Sequence, residues 1–125
     1  MDHKTAAQLV AEAKASIENL TPDQVQAEVA QGALLVDVRE GTECALGMIP
    51  GALHVPRGML EFRADPASPA HHAVLVPARR IILHCASGNR SALSVLTLRQ
   101  LGFTRVAHLD GGFRAWVAAG KPVGK

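Results

Sequence analysis

An α/β fold, with a mostly parallel central sheet and helices on both faces, is what this sequence predicts, and three observations lead there. Short aliphatic and β-branched runs recur at ALLVDV (33–38), IILH (81–84) and VAHLD (106–110). They lack the strict apolar–polar alternation of a half-exposed sheet, as suits strands buried on both faces. Segments with helical patterning and N-terminal capping signals separate them, and strands joined through helices pair in parallel. At 125 residues the chain has the length of one domain, and neither an internal repeat nor an interdomain linker interrupts it.

The elements follow in order. Leu9, Ala13 and Ile17 fall four residues apart, with Val10 and Leu20 beside them, so a first helix is expected from about Ala6 to Asn19 with one apolar stripe. Thr5 and Gln8 have capping-box spacing at its start. The same device recurs at Thr21 and Gln24, with Pro22 at the first helical position, and a second helix runs from there to just before Gly32. ALLVDV is a buried strand. IPGALHVP reads as a turn, a short strand at 52–55 and a Pro stop, and RGMLEFR (57–63) as one or two helical turns. ADPASPAHH, punctuated by Pro66 and Pro69, is loop. The next strand covers Arg80 to His84. SALSVLTLRQL has almost no polar stripe, so the helix from Arg90 to Leu101 is covered on most sides and ends at Gly102. VAHLD is the last strand, and Gly111 and Gly112 lead into a final helix through Trp116.

Composition narrows the function. A hydrophobic share of 48% against 19% charged residues suits a globular domain and not a disordered tail. A formal charge of +2, with three Phe and one Trp, argues against a nucleic-acid partner. Two cysteines, Cys44 and Cys85, are too few for a disulfide scaffold and read as free thiols in a reducing compartment. Glu12, Lys14 and Glu18 break the amino-terminal segment, which has neither a signal-peptide core nor a membrane span, so the expected location is cytoplasmic, with no membrane partner.

The chemistry gathers at ILHCASGNRSA (81–91), where an apolar strand stops on a thiol. In parallel sheets ligands sit at the carboxyl ends of strands, where helices begin. Cys85 lies at such an edge, and the helix after it turns unpaired amides and the positive end of its dipole toward the turn. That setting favours a thiolate over a thiol. Ala86, Ser87, Gly88 and Asn89 are small or polar, as a loop turning its amides inward requires, with Gly88 and Asn89 the candidates for positive φ. Arg90 adds a full positive charge. The expected product is a shallow anion-binding bowl, lined by residues 86–91 through Ser91, with a nucleophilic sulfur at its floor; the plain alternative is a buried core cysteine before an ordinary turn.

CASGNRS at 85–91 resembles the active-site loop of single-domain rhodaneses. LLVDVRE (34–40), IPGALHVP (49–56) and LGFTRVAHLDGGFRAW (101–116) resemble the same family in the same order, across nearly everything from Thr21 onward. The resemblance implies a rhodanese-like domain at 21–125; residues 1–20 lie outside it and read, from their apolar stripe, as an N-terminal helical extension. The resemblance also implies a sulfurtransferase in which Cys85 takes the outer sulfur of a donor such as thiosulfate, holds it as a persulfide and passes it to a thiol or protein acceptor. Converging amides would stabilise the persulfide anion, and neither metal nor organic cofactor is required.

Two rivals stand beside that reading. Cysteine phosphatases place five residues between Cys and Arg, whereas this chain has four, a ring suited to one sulfur atom rather than a phosphoryl group. The other rival is a non-catalytic binding module on the same fold, against which the presence of Cys85 argues. The resemblance also has departures. Ala86 stands where thiosulfate-using members often carry a cation, which leaves the donor open between thiosulfate and a persulfide, and Met48 replaces a common His with a packing side chain. Arg57, at another strand's carboxyl edge, is a candidate to reach the donor's sulfonate. Asp37 and Arg39 read as a structural pair, Cys44 as a packed thiol, and His71 and His72 as loop residues without companion ligands for a metal. His84 alternates to the face opposite Cys85. The apolar stripe of residues 1–20 needs cover, from the domain's own helices or from a second copy in a homodimer.

Overall fold

The computed structural model describes residues 3–124. Met1, Asp2 and Lys125, which the expected domain limits include, lie outside the described residues. A single five-stranded sheet forms the centre, in the order β1-β5-β4-β2-β3, with every strand pair parallel. The strands are β1 (Glu18–Leu20), β2 (Leu34–Asp37), β3 (Leu53–His54), β4 (Ile81–His84) and β5 (Val106–Leu109). The helices are α1 (Ala6–Ser16), α2 (Pro22–Ala30), α3 (Gly41–Cys44), α4 (Leu60–Ala64), α5 (Asn89–Gln100) and α6 (Gly112–Ala118), with a 3₁₀ turn at Arg57–Met59 before α4.

Strand alternation splits the core in two. Val36, Ile81, Leu83 and Val106 point to one face, where Leu60, Val95, Leu98 and Phe103 cover them. Leu35, Ile82 and Ala107 point to the other, against Val25, Ile49 and Trp116. Each fully buried Leu or Ile is worth about 1.5–3 kcal/mol relative to exposure, so continuous apolar strands are stable only because both faces are covered.

Both capping boxes form. The Thr5 hydroxyl accepts from the Gln8 amide at 3.1 Å and the Gln8 side chain accepts from the Thr5 amide at 2.7 Å; Thr21 and Gln24 repeat the pattern at 3.2 and 2.9 Å.

The first helix is shorter than the periodicity predicts. It ends at Ser16, and Glu18–Leu20 instead becomes the edge strand beside β5, with Asn19 opposite His108. Two forces favour the strand: Leu20 enters the second core, and Glu18 makes a two-pronged ion pair with Arg80 at 2.9 and 3.0 Å. The α1 stripe finds cover within the chain, since α1 lies against α5 with Ala13 fully buried, although Leu9 stays 45% exposed.

Candidate active site

Cys85 follows the last residue of β4, and the chain turns there into α5. Gly88 makes the turn with φ of +101°, the left-handed region that L side chains resist, and it is the N-cap residue just before α5. This geometry aims the Gly88 amide at the Cys85 sulfur at 3.1 Å and brings the Ser91 amide to 3.4 Å. The Ser91 hydroxyl lies 3.6 Å from the same sulfur. Burial pushes the thiol up, but the Ser91 amide and hydroxyl and the Gly88 and Ser87 amides outweigh it, so Cys85 ionises below an ordinary cysteine.

The loop hangs from α6. The Phe113 amide donates to the Cys85 carbonyl at 2.8 Å and the Arg114 amide to the Ala86 carbonyl at 3.0 Å. That approach needs Gly112, where a Cβ would fall 2.6 Å from the Cys85 carbonyl oxygen. Gly111 and Gly112 are therefore part of the cradle, a role hidden in a pair that reads only as a turn.

Four expectations change. The bowl is not shallow: Cys85 is 1% exposed, because the Gly88 turn folds over the sulfur. Asn89 does not take positive φ, which among the described residues only glycines adopt; it is the first residue of α5. Arg90 is not a free cation, because its guanidinium grips the Glu43 carboxylate at 2.7 and 2.9 Å. The pairing holds the Glu43 carboxyl down at about 2 and pushes Arg90 further up. Arg57 is not free either: it donates to Glu61 at 3.0 Å and to Thr97 at 3.1 Å. Thr97 lies six residues beyond Ser91, about 9 Å along the helix.

On the other face of the sheet, Asp37 and Arg39 form a buried pair, with Arg39 Nη2 2.8 Å from Asp37 Oδ2 and the guanidinium 4.2 Å over the Phe113 ring. Burial pushes the Asp37 carboxyl up, but Arg39 and His84 more than offset it, leaving it below the usual carboxylate range. His84 is there too, stacked on Phe113 and 3.4 Å from Asp37 Oδ2, and burial keeps it below an ordinary histidine. Strand alternation thus separates His84 from the sulfur. Cys44 is buried, and burial together with Asp37, 3.5 Å away, pushes its thiol up to about 11. His71 and His72 bond backbone atoms of their own loop.

Three residues join the site unannounced. His108 and Asn19 continue the hydrogen bonds from Ser91 on the Cys85 face. Lys14 of α1 reaches over the loop, within 3.7 Å of where a Gly88 Cβ would sit, and pairs with Asp110 at 3.6 Å. Alternation along VAHLD could have placed His108 beside Cys85; nothing local marks Asn19 or Lys14. Between α1 and the start of α5 runs an open groove of about 480 Å³, with Val10 and Leu93 on its walls and Lys14, Asn89 and Arg90 at its rim.

Fold and site together define an α/β domain that carries one buried cysteine sulfur faced by the backbone amides of Gly88 and Ser91. A family model described as "Rhodanese-like domain" matches residues 21–119, and the chain belongs to that family of sulfurtransferases. It is 37% identical over 90 residues to a protein named sulfurtransferase from Allochromatium vinosum, covering 72% of this chain and 77% of that one. It is 33% identical over 104 residues to the thiosulfate sulfurtransferase GlpE of Ectopseudomonas mendocina, covering 81% and 85%. A solved structure from Rhodopseudomonas palustris, described as a protein of unknown function and possible tyrosine phosphatase, superposes with a TM-score of 0.91 at 37% identity over 99% of this chain and 97% of that one. No helix among the described residues is long and apolar enough to cross a membrane.

Proposed function

We propose that this protein moves a sulfane sulfur from a small donor, thiosulfate or a persulfide, to a thiol or other thiophilic acceptor through a Cys85 persulfide. The observation that carries the reading is the pair of amides, Gly88 and Ser91, aimed at one sulfur atom at 3.1 and 3.4 Å. The Cys85 thiolate attacks the outer sulfur of thiosulfate; a new S–S bond forms as the donor's S–S bond breaks, and sulfite leaves with the electron pair. An acceptor nucleophile then attacks the outer sulfur of the persulfide and the Cys85 thiolate departs, restored. Each half places negative charge on sulfur inside the ring, where fixed amide dipoles stabilise it without reorganising.

Two features bear on the donor. Ala86 contributes no charge, and Arg90 is occupied by Glu43, whereas Lys14 lies beside the loop with its partner, Asp110, held only at 3.6 Å. The same occupation of Arg90 disfavours phosphoryl transfer, which needs that guanidinium for phosphate oxygens. Incubation with thiosulfate and cyanide, and separately with an aryl phosphate, tests the reading. Thiocyanate formation without phosphate release is expected; phosphate release without thiocyanate would replace sulfur transfer by phosphatase chemistry.

A further inference from the structure

A chain of hydrogen bonds leads away from the Cys85 sulfur, through buried Ser91 and His108, to Asn19 on the edge strand. Ser91 Oγ lies 2.9 Å from His108 Nδ1, and His108 Nε2 lies 2.7 Å from Asn19 Oδ1. Ser91 and His108 are fully buried. The directions in this chain are determined from its far end. Asn19 Nδ2 donates to the carbonyls of Lys14 at 2.9 Å and Ile17 at 3.1 Å, which leaves Oδ1 as the atom facing His108. An oxygen that only accepts requires a proton on His108 Nε2. The neutral ring then offers a lone pair at Nδ1, and the Ser91 hydroxyl must donate to it.

That hydroxyl has one proton and, besides a long contact to the Gly88 carbonyl at 3.4 Å, two claimants, His108 Nδ1 and the Cys85 sulfur. With the proton on the His108 side, Ser91 turns a lone pair toward Cys85, an arrangement suited to a thiol that donates to oxygen and unsuited to a thiolate. The hydroxyl can donate to a Cys85 thiolate only by rotating to the sulfur, and His108 Nδ1 then loses its bond. We infer that His108, held by Asn19, is a positioning residue that competes with the Cys85 thiolate for the Ser91 hydroxyl proton and so holds the sulfur's ionisation in check. The inference rests on Cys85 being the sulfur that carries the transferred atom. It assigns a role to Asn19, which lies outside the segment matched by the family model.

The charged groups around this chain do not replace it. Lys14 and Asp110 face His108, with Asp110 favouring and Lys14 opposing a charge on the ring; Arg90 faces Cys85 but is gripped by Glu43. Burial dominates, holding His108 down at about 4, so at neutral pH the ring is uncharged and accepting.

The sign of the effect separates competition from a proton-accepting role and from simple packing. Ultraviolet thiolate absorbance against pH reports Cys85, since Cys85 ionises below an ordinary cysteine and Cys44, pushed up to about 11, above one. In His108→Phe the hydroxyl is released to the sulfur, and the Cys85 midpoint should fall by about one pH unit, the worth of one hydrogen bond. Ser91→Ala should raise the midpoint, and adding His108→Phe to Ser91→Ala should change nothing further. A rise or no change in His108→Phe would overturn the inference, as would a fall that persists without the Ser91 hydroxyl. A second measurement needs no variant: ¹⁵N spectra of the unmodified protein should show the proton on His108 Nε2 at neutral pH, and a proton on Nδ1 would overturn it. Neither readout involves sulfur transfer, so their failure is distinct from a failure to form thiocyanate.

Discussion

Arg90 and Glu43 show how a residue's type misleads until its partner is known. A lone arginine five residues beyond a nucleophilic cysteine reads as the anion's cation, yet Glu43, 47 positions away, takes both of its terminal nitrogens. No local pattern joins them. Glu43→Gln should return the guanidinium's field to the sulfur and lower the Cys85 midpoint by roughly half a pH unit, read by thiolate absorbance. The two cysteines separate by the same logic of surroundings. Amides stabilise charge on Cys85, whereas burial and the Asp37 carboxylate oppose it on Cys44. Cys85→Ser should therefore abolish thiocyanate formation, and Cys44→Ser should leave it within about twofold, since that change sacrifices only one buried contact. Cys85, Gly88 and Ser91 were legible because strand, thiol, glycine and helix follow one another within eleven residues. Asn19 was not, since it lies in the strand β1 and only the parallel register of β1 with β5 brings it to His108, which alternation along VAHLD could have placed.

At the scale of elements, the turn from β5 into α6 acts as the floor on which the Cys85 loop rests. Gly112→Ala should destabilise the fold by at least about 2 kcal/mol in denaturant unfolding, because φ is +59° and the new methyl would overlap the Cys85 and Ala86 carbonyls. Gly120→Ala is the matched comparison. It has φ of +73° but open space around it, so only the conformational cost of about 1–2 kcal/mol should appear. The elements that the sequence announces are those with long apolar runs or capping boxes: β2, β4, β5, α2 and α5 appear within a residue or two of where patterning places them. β1 escapes because it is three residues long, with Glu18 and Asn19 exposed, and its conformation comes from Arg80 and Leu109 rather than from its own composition. Helical periodicity through Ile17 runs over the break at Ser16, since Ile17 packs on the core from an extended backbone.

For the molecule as a whole, two buried histidines tie stability to pH. His84 and His108 are both fully buried, and burial lowers both from 6.5, His108 to about 4. Above pH 6.5 neither the folded nor the unfolded chain protonates them. Between 6.5 and about 4 the unfolded chain binds protons that the folded chain refuses, so stability falls as the pH falls, by up to about 3 kcal/mol from His108. Denaturant midpoints at pH 7 and pH 5 should differ in that direction, and His108→Phe should narrow the difference. The central claim concerns one atom: Cys85 Sγ, poised as a thiolate by two amides, accepts a sulfur. Mass spectrometry of the Cys85 peptide after exposure to thiosulfate, and separately to a glutathione persulfide, tests it most directly. The account predicts a gain of one sulfur on Cys85 and none on Cys44 with at least one of these donors; a reduced, unmodified Cys85 with both would contradict it.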